Sequence, residues 1–381
     1  MVHDPLKPFG ALIGRLLAGS DLSREEAAAA FAEILGDRQS EIHQGAFLAA
    51  LTAKGPTPDE IAGAWAAILD RDTVTVAVAA DPPLVDNCGT GMDGAGTFNI
   101  STAAAIVAAA GGCRLARHGA RAVSSACGTV DVCQALGVDV DCPVQTVCDS
   151  IEKAGIGLFN AMSPRVHPGA LGRILSRLRF GSILNIAASL ANPARPTLAV
   201  RGVYRPELVL PIARAMRSIG YRRALVFHGR LPDGRGMDEL APAGDNTTAE
   251  LHADGRITTR RVDPARLGLS GGDPQLLSGS GVAAAEARSL VRLIGGRENG
   301  IRREAVCLNA AAILYISDRV ADLAEGVALA SRLIEDGRVL AALERWVAAQ
   351  QTEAGAGKER FQSLVCAAMS HPNGSLQGGN G

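Results

Sequence analysis

The stretch from Asp86 to Asp131, DNCGTGMDGAGTFNISTAAAIVAAAGGCRLARHGARAVSSACGTVD, constrains the fold of this chain more than any other. Pro83–Cys88 reads as a buried strand that runs into a glycine-rich turn. Ser101 and Thr102 then cap an Ala/Val-rich helix that stops at Gly111-Gly112, and Cys113–Ala116 is the next short strand. A strand–loop–helix–strand order predicts a parallel α/β sheet whose ligands bind at the loops leaving the strand C-termini. Five hydroxyl residues (Thr90, Thr97, Ser101, Thr102, Ser125) and three basic ones (Arg117, His118, Arg121) stand beside the two glycine turns. Backbone N–H groups left open by glycine, together with a helix N-terminus, favour phosphate. The chain is therefore expected to handle a polyphosphorylated small molecule.

At 381 residues the chain exceeds one ordinary core, and two domains are expected. Residues 9–70 read as four short amphipathic helices, with an apolar stripe at Phe9, Leu12, Ile13, Leu16 and Leu17 in the first. Ser23 with Glu26, and Thr57-Pro58 with Glu60, mark two helix starts. Residues 143–180 read as a return to helix, strands resume at Thr197–Val203 and Ala224–Phe227, and Glu250–Val262 reads as a hairpin around Asp254-Gly255. The expected division is a small helical domain from 1–79 and 142–191, a large α/β domain from 80–141 and 192–368, and a disordered tail at 369–381.

The formal charge of −1 and the 3% aromatic content argue against nucleic acid as a partner. Eight cysteines without a C-x-x-C pair read as small buried hydrophobes suited to a reducing cytosol. The opening MVHDPLKPFG lacks a signal-peptide pattern, and the longest apolar run is short for a membrane span. A soluble, cytoplasmic protein without membrane contacts is expected.

Gly89-Thr-Gly91-Met-Asp-Gly94 fits G-x-G-x-x-G, but a dinucleotide fold needs an acidic residue after the second strand, where this chain has Arg117-His118-Gly119. A Walker loop is excluded because Gly-Lys-Ser/Thr is missing. Two phosphate cradles facing each other, Gly89–Thr102 and Arg117–Thr129, suit a ligand with phosphate at both ends, such as phosphoribosyl pyrophosphate. Asp238-Glu239 in Gly236-Met-Asp-Glu would then supply carboxylates to Mg²⁺, which takes a few carboxylates plus phosphate and water.

On these residues the chain resembles the anthranilate phosphoribosyltransferase family from about Leu12 to Val347. The carrying motifs are GTG-x-D-G…TFNIST (89–102), the basic-His-Gly-x-Arg…Val-Ser-Ser segment (117–125), Asn192-Pro193, Gly202-Val-Tyr204 with Pro206–Pro211, Gly236–Glu239 and Leu308–Ala311. The resemblance implies a helical domain, a large α/β domain and a homodimer joined through the helical part. It also implies transfer of phosphoribose from phosphoribosyl pyrophosphate to an aromatic amine, with pyrophosphate leaving and Mg²⁺ as cofactor. Matching positions assign Gly89, Thr90, Gly91, Asp93, Thr97, Asn99, Ser101, Thr102, Arg117, Gly119, Ser125 and Thr129 to phosphoribosyl pyrophosphate. Ser101, Asp238 and Glu239 fall to the metal, and Arg117, His118 and Asp93 to catalysis.

The chain departs from the family pattern on the acceptor side. Ala120 replaces an asparagine, Gly181 an arginine that would clamp a carboxylate, and Met92 a glycine, with Arg179 two residues from Gly181. Gly89, His118, Ala120, Arg179 and Gly181 are the expected acceptor-binding positions. Losing charge-assisted contacts on that side while the donor side is kept favours an aromatic acceptor other than plain anthranilate. The alternatives are a genuine anthranilate phosphoribosyltransferase of tryptophan biosynthesis and a non-catalytic relative that binds nucleic acid.

Overall fold

The computed structural model describes residues 6–79, 81–121, 127–353 and 355–370. Four helices open the chain: α1 (Leu6–Leu17), α2 (Arg24–Leu35), α3 (Glu41–Lys54) and α4 (Pro58–Asp72). Both expected helix starts are capping boxes, and Pro58 occupies the first turn of α4. Glu60, fully buried, accepts the N–H groups of Leu22 (2.9 Å) and Thr57 (2.8 Å) and pairs with Lys54 Nζ at 3.0 Å. It thereby ties the entry of α2 to that of α4. The α1 stripe buries Phe9, Ile13 and Leu16, but Leu17 is 73% exposed.

After α4 the chain enters the sheet through β1 (Leu84–Cys88), α5 (Ile100–Ala110), β2 (Arg114–Gly119), α6 (Thr129–Ala135), α7 (Val144–Ala154) and β3 (Ile156–Asn160). Two helices follow, α8 (Leu171–Leu178) and α9 (Ile183–Leu190), then β4 (Leu198–Gly202), α10 (Val209–Ser218), β5 (Arg223–Arg230), β6 (Gly236–Met237), β7 (Asp245–Leu251) and β8 (Ile257–Val262). The chain closes with α11 (Ala283–Ile294), α12 (Ile301–Ile316), α13 (Leu323–Glu335), α14 (Arg338–Ala349) and α15 (Ala356–Met369).

The strand order is β3-β2-β1-β4-β5-β7-β8, with β6 paired to β5. The first five run parallel, and β7 and β8 add an antiparallel edge, the expected hairpin. Alternation along the strands sends Val85, Leu115, Val200 and Leu225 into a core with α5 and α11–α14. Ala199, Ala224 and Val226 face the other way, into a core shared with α1–α4, α9 and α10. Covered on both faces, these strands read as near-continuous apolar runs. The sheet thus fastens the helical bundle to one face of the α/β part.

The expected return to helix over 143–180 is interrupted in the structure between α7 and α8, at residues 155–170. Gly155, at φ +77°, closes α7, and Ile156–Asn160 forms the edge strand pairing in parallel with β2. Residues of the expected helical segment 142–191 therefore divide. α7 and β3 build the sheet's edge, while α8 and α9 share a core with α1–α4. Eight free cysteines, five of them in the buried core, carry no disulfide. Among the described residues no helix is long and apolar enough to cross a membrane.

Candidate active site

Both glycine turns leave parallel strands at the same sheet end and open onto one cleft of about 250 Å³ between the α/β part and α8–α9. The first turn runs from Gly89 to Asn99. Asn99, not Ser101 or Thr102, occupies the N-cap of α5, and its side chain makes no capping bond. Ser101 instead donates its backbone N–H to Glu239 Oε1 (3.1 Å), so the positive end of α5 faces a carboxylate carried in beyond β6. The turn is clamped from outside. Phe98 N–H donates to the Leu277 carbonyl (2.9 Å), Gly279 N–H to the Gly96 carbonyl (2.8 Å), and the Arg302 guanidinium lies 4.0 Å from the Phe98 ring centroid.

Asp238 is seated by the same turn. Its Oδ2 accepts the N–H of Gly91 (2.6 Å) and the hydroxyl of Thr90 (3.1 Å), and its own N–H donates to Asp93 Oδ2 (3.1 Å). A β-carbon at position 89 would lie 2.6 Å from Asp238 Oδ2, which is why glycine is needed there. Asp93 Oδ1 also accepts the Ala95 N–H at 3.1 Å. Three carboxylates therefore meet around one turn.

Burial is the main force pushing Asp238 upward, to about 7, with Asp93 repelling it further. Glu239 is raised well above its usual range by burial, then by Asp238 and Asp93, with Arg117 opposing. A carboxyl whose folded pKa lies above its unfolded value adds stability below the unfolded pKa and loses it as pH rises through the folded one. The ligand-free protein is therefore expected to lose melting temperature steadily between about pH 5 and 8. A scanning-calorimetry series across that range, with Mg²⁺ excluded, would read a flat profile if the pair were not charge-stressed.

Arg117 enters from β2 beneath α5. Its Nε donates to Asn87 Oδ1 (3.0 Å), one terminal nitrogen to Thr102 Oγ1 (3.0 Å) and the other toward Ser101 Oγ (3.4 Å). Buried and fully engaged, it ties β2 to β1 and to the first turn of α5. Thr102 is sealed behind it, serving the site through Arg117. In the second turn, Gly119 and Ala120 line the cleft and Thr129 opens α6. Arg121 is bound to Asp131 (3.0 Å) and Gln134 (2.9 Å). Ser125 lies outside the described residues.

The cleft thus gathers Gly89, Thr90, Gly91, Asp93, Thr97, Asn99 and Ser101 from the first turn, Arg117, His118, Gly119, Ala120 and Thr129 from the second, and Asp238 with Glu239. Arg179 and Gly181 are not in its wall. Arg179, at φ +55°, is exposed and donates its Nε to the Ser176 carbonyl (3.1 Å). A β-carbon at Gly181 would meet Met92 Cγ at 3.0 Å, so Met92 occupies the space a side chain there would need. The helical side presents Leu171, Leu175, Ala188, Asn185 and Ser189 instead.

His167 and Asp72 also serve this site, and neither carries a motif signal in the sequence. His118 Nε2 lies 3.0 Å from His167 Nε2, and His167 Nδ1 bonds the Asp72 carbonyl. The Asp72 carboxylate accepts the N–H groups of Ala170 (2.9 Å) and Leu171 (2.6 Å) at the start of α8. Among the described residues no group of three or more His, Cys, Asp or Glu side chains could hold a metal ion unaided. Two buried carboxylates beside open glycine backbone do fit Mg²⁺, whose remaining positions would fall to phosphate oxygen and water.

Residues 81–340 match the glycosyl transferase family, a/b domain, and residues 11–71 match the glycosyl transferase family, helical bundle domain. The chain is 37% identical over 341 residues to an anthranilate phosphoribosyltransferase of Desulfosudis oleivorans, covering 89% of this chain and 98% of the relative. It is 42% identical over 339 residues to that of Anaeromyxobacter dehalogenans, covering 88% and 97%. The crystal structure of the Thermus thermophilus anthranilate phosphoribosyltransferase superposes with a TM-score of 0.79 at 34% identity, over 89% of this chain and 99% of that one. The fold is shared with the Saccharomyces cerevisiae anthranilate phosphoribosyltransferase in complex with PRPP and Mg, at a TM-score of 0.76, 24% identity, and 90% and 98% coverage.

Proposed function

This chain belongs to the anthranilate phosphoribosyltransferase family, and on that footing we propose that it transfers phosphoribose from phosphoribosyl pyrophosphate to anthranilate, releasing pyrophosphate. One observation carries the reading: two glycine turns and the buried Asp238–Glu239 pair open into a single cleft. Asp238, Glu239 and Ser101 would hold Mg²⁺, which supplies positive charge against the departing pyrophosphate. With the Gly91 and Ser101 N–H groups held by Asp238 and Glu239, the remaining N–H groups of the first turn would receive phosphate oxygens, and Arg117 ties α5 to β2. Leu171, Leu175 and Ala188 on the helical wall would keep water from the ribose C1 as positive charge develops there.

The relatives' names speak for anthranilate as acceptor rather than for the altered acceptor expected from the sequence. A second reading, another aromatic amine, rests on Gly181 pressed against Met92 and on Arg179 turned away from the cleft. The two arginines that do line it are already bound within the protein. Incubation with labelled phosphoribosyl pyrophosphate, Mg²⁺ and either anthranilate or a panel of arylamines, read by mass spectrometry, is expected to give phosphoribosyl-anthranilate. Efficient transfer only to uncarboxylated amines would replace the first reading by the second. No pyrophosphate release with any acceptor would sink both. A homodimer joined through the helical part belongs to the same proposal, supported by Leu17 on α1 and Ile42 on α3, 73% and 82% exposed, and so does a cytoplasmic location.

A further inference from the structure

We infer that His167, anchored on the Asp72 carbonyl, fixes His118 in the Nε2–H form, so that His118 turns a bare Nδ1 to the cleft and takes the proton of the attacking amine. The inference rests on the transfer reaction proposed above, and it deepens it by naming where the amine's proton goes.

The direction of the chain follows from its last member. A carbonyl oxygen can only accept, so His167 must carry its proton on Nδ1 to bond Asp72. Thr73 agrees. Its hydroxyl proton is given to the Ile68 carbonyl (3.0 Å), so its oxygen, 3.4 Å from His167 Nδ1, faces that nitrogen as an acceptor. His167 Nε2 is then a lone pair. One proton lies between it and His118 Nε2, 3.0 Å away, and it belongs to His118. The rings are tilted by 56°, with centroids 5.1 Å apart, so they meet edge to edge and do not stack.

His118 is left with Nδ1 as its acceptor. That nitrogen has no partner among the described residues, nor is it among their sealed polar atoms, and His118 lines the cleft. Burial holds the ring well below its usual pKa, with His167 and Arg201 adding to the effect, so it waits uncharged. Asp72 keeps the carbonyl in place because its carboxylate is itself held by the N–H groups opening α8.

In the reaction, the amine lone pair forms the bond to C1 as the C1–oxygen bond breaks, and that electron pair leaves with pyrophosphate. The nitrogen is then an arylammonium, which must shed a proton before the product can leave as a neutral amine. Its proton passes to His118 Nδ1. The imidazolium so formed still donates Nε2–H to His167, and it returns the proton to water when product leaves. His118 is the catalytic residue, while His167 and Asp72 are positioning residues.

Histidine-¹⁵N-labelled full-length protein decides the tautomer without ligand, using two-bond proton–nitrogen correlation with His118→Gln for assignment. The expected form of His118 is Nε2–H, and finding Nδ1–H in the wild type overturns the inference even if every variant misfolds. His167→Phe removes the acceptor but keeps ring volume. It is expected to mix the His118 tautomers and lower kcat on the order of 10–100-fold, with KM for phosphoribosyl pyrophosphate unchanged. His167→Gln, whose carbonyl can accept from Nε2–H, should restore the tautomer and most of kcat. Equal loss in both variants, or no loss in either, means a merely structural role and overturns it. Absence of transfer in the wild type would instead defeat the proposed function, with the tautomer still readable.

Discussion

Replacing Asp238 by Asn together with Glu239 by Gln is expected to lower turnover on the order of 100-fold or more and to flatten its dependence on Mg²⁺. An effect of that size comes from removing the two groups that would fix a cation against a leaving pyrophosphate, an electrostatic contribution of the kind that dominates such sites. The substitutions are close to isosteric. The amide at position 238 keeps an oxygen for the Gly91 N–H and the Thr90 hydroxyl, and the amide at position 239 keeps one for the Ser101 N–H. Folding should therefore survive. The ligand-free double variant should also lose the wild type's decline in melting temperature between about pH 5 and 8, since both groups whose pKa burial and mutual repulsion raise have been neutralised. Mg²⁺-titrated initial rates and calorimetry read the two effects separately. A variant with wild-type Mg²⁺ dependence would remove the pair from the metal site, and one with wild-type pH behaviour would remove the charge stress.

The residues that meet at the sheet end of the cleft are legible in the sequence because they stand in short local motifs. The glycine turn after β1, the basic turn after β2 and the Asp238–Glu239 pair each announce themselves within a few residues, and the parallel order of β1 and β2 follows from the helix between them. What is illegible depends on contacts far apart in sequence. The clamp on the first turn comes from Leu277–Gly279 and Arg302, far along the chain, and leaves no periodicity to read. His167 stands in an ordinary-looking segment, and only the fold brings it to His118 and Asp72. β3 hides because Ile156–Asn160 is a short apolar run, which periodicity cannot assign to strand or helix. Gly155, with its left-handed backbone at the end of α7, is the available stop signal. The expected departures from the family pattern at positions 92 and 181 are visible in the sequence. Their mutual contact, Met92 filling the space over Gly181, is not.

Gly202→Ala is expected to be the most damaging glycine-to-alanine change among the described residues. Gly202 ends β4, paired to β1 on one side and β5 on the other, and a β-carbon there would run into the backbone carbonyl of Asp238 and lie 3.1 Å from its Cα. No flexible side chain can give way, because the obstructing atoms are main chain. Two outcomes are physically open: β4 parts from its neighbours, or the segment carrying Asp238 and Glu239 is displaced. The first costs about 1–3 kcal/mol or more as overpacking of a tight core. The second shifts the carboxylates by up to about an ångström, enough to lower turnover on the order of 100-fold. Either is visible as a fall in melting temperature, in turnover, or in both. Gly14→Ala supplies the control, since it lies in α1 with nothing within 4 Å of the added carbon. That change should be neutral or stabilising by up to about 1 kcal/mol through helix propensity. Wild-type stability and Mg²⁺-dependent turnover in Gly202→Ala would show that the approach of Asp238 to β4 is not what seats the carboxylates.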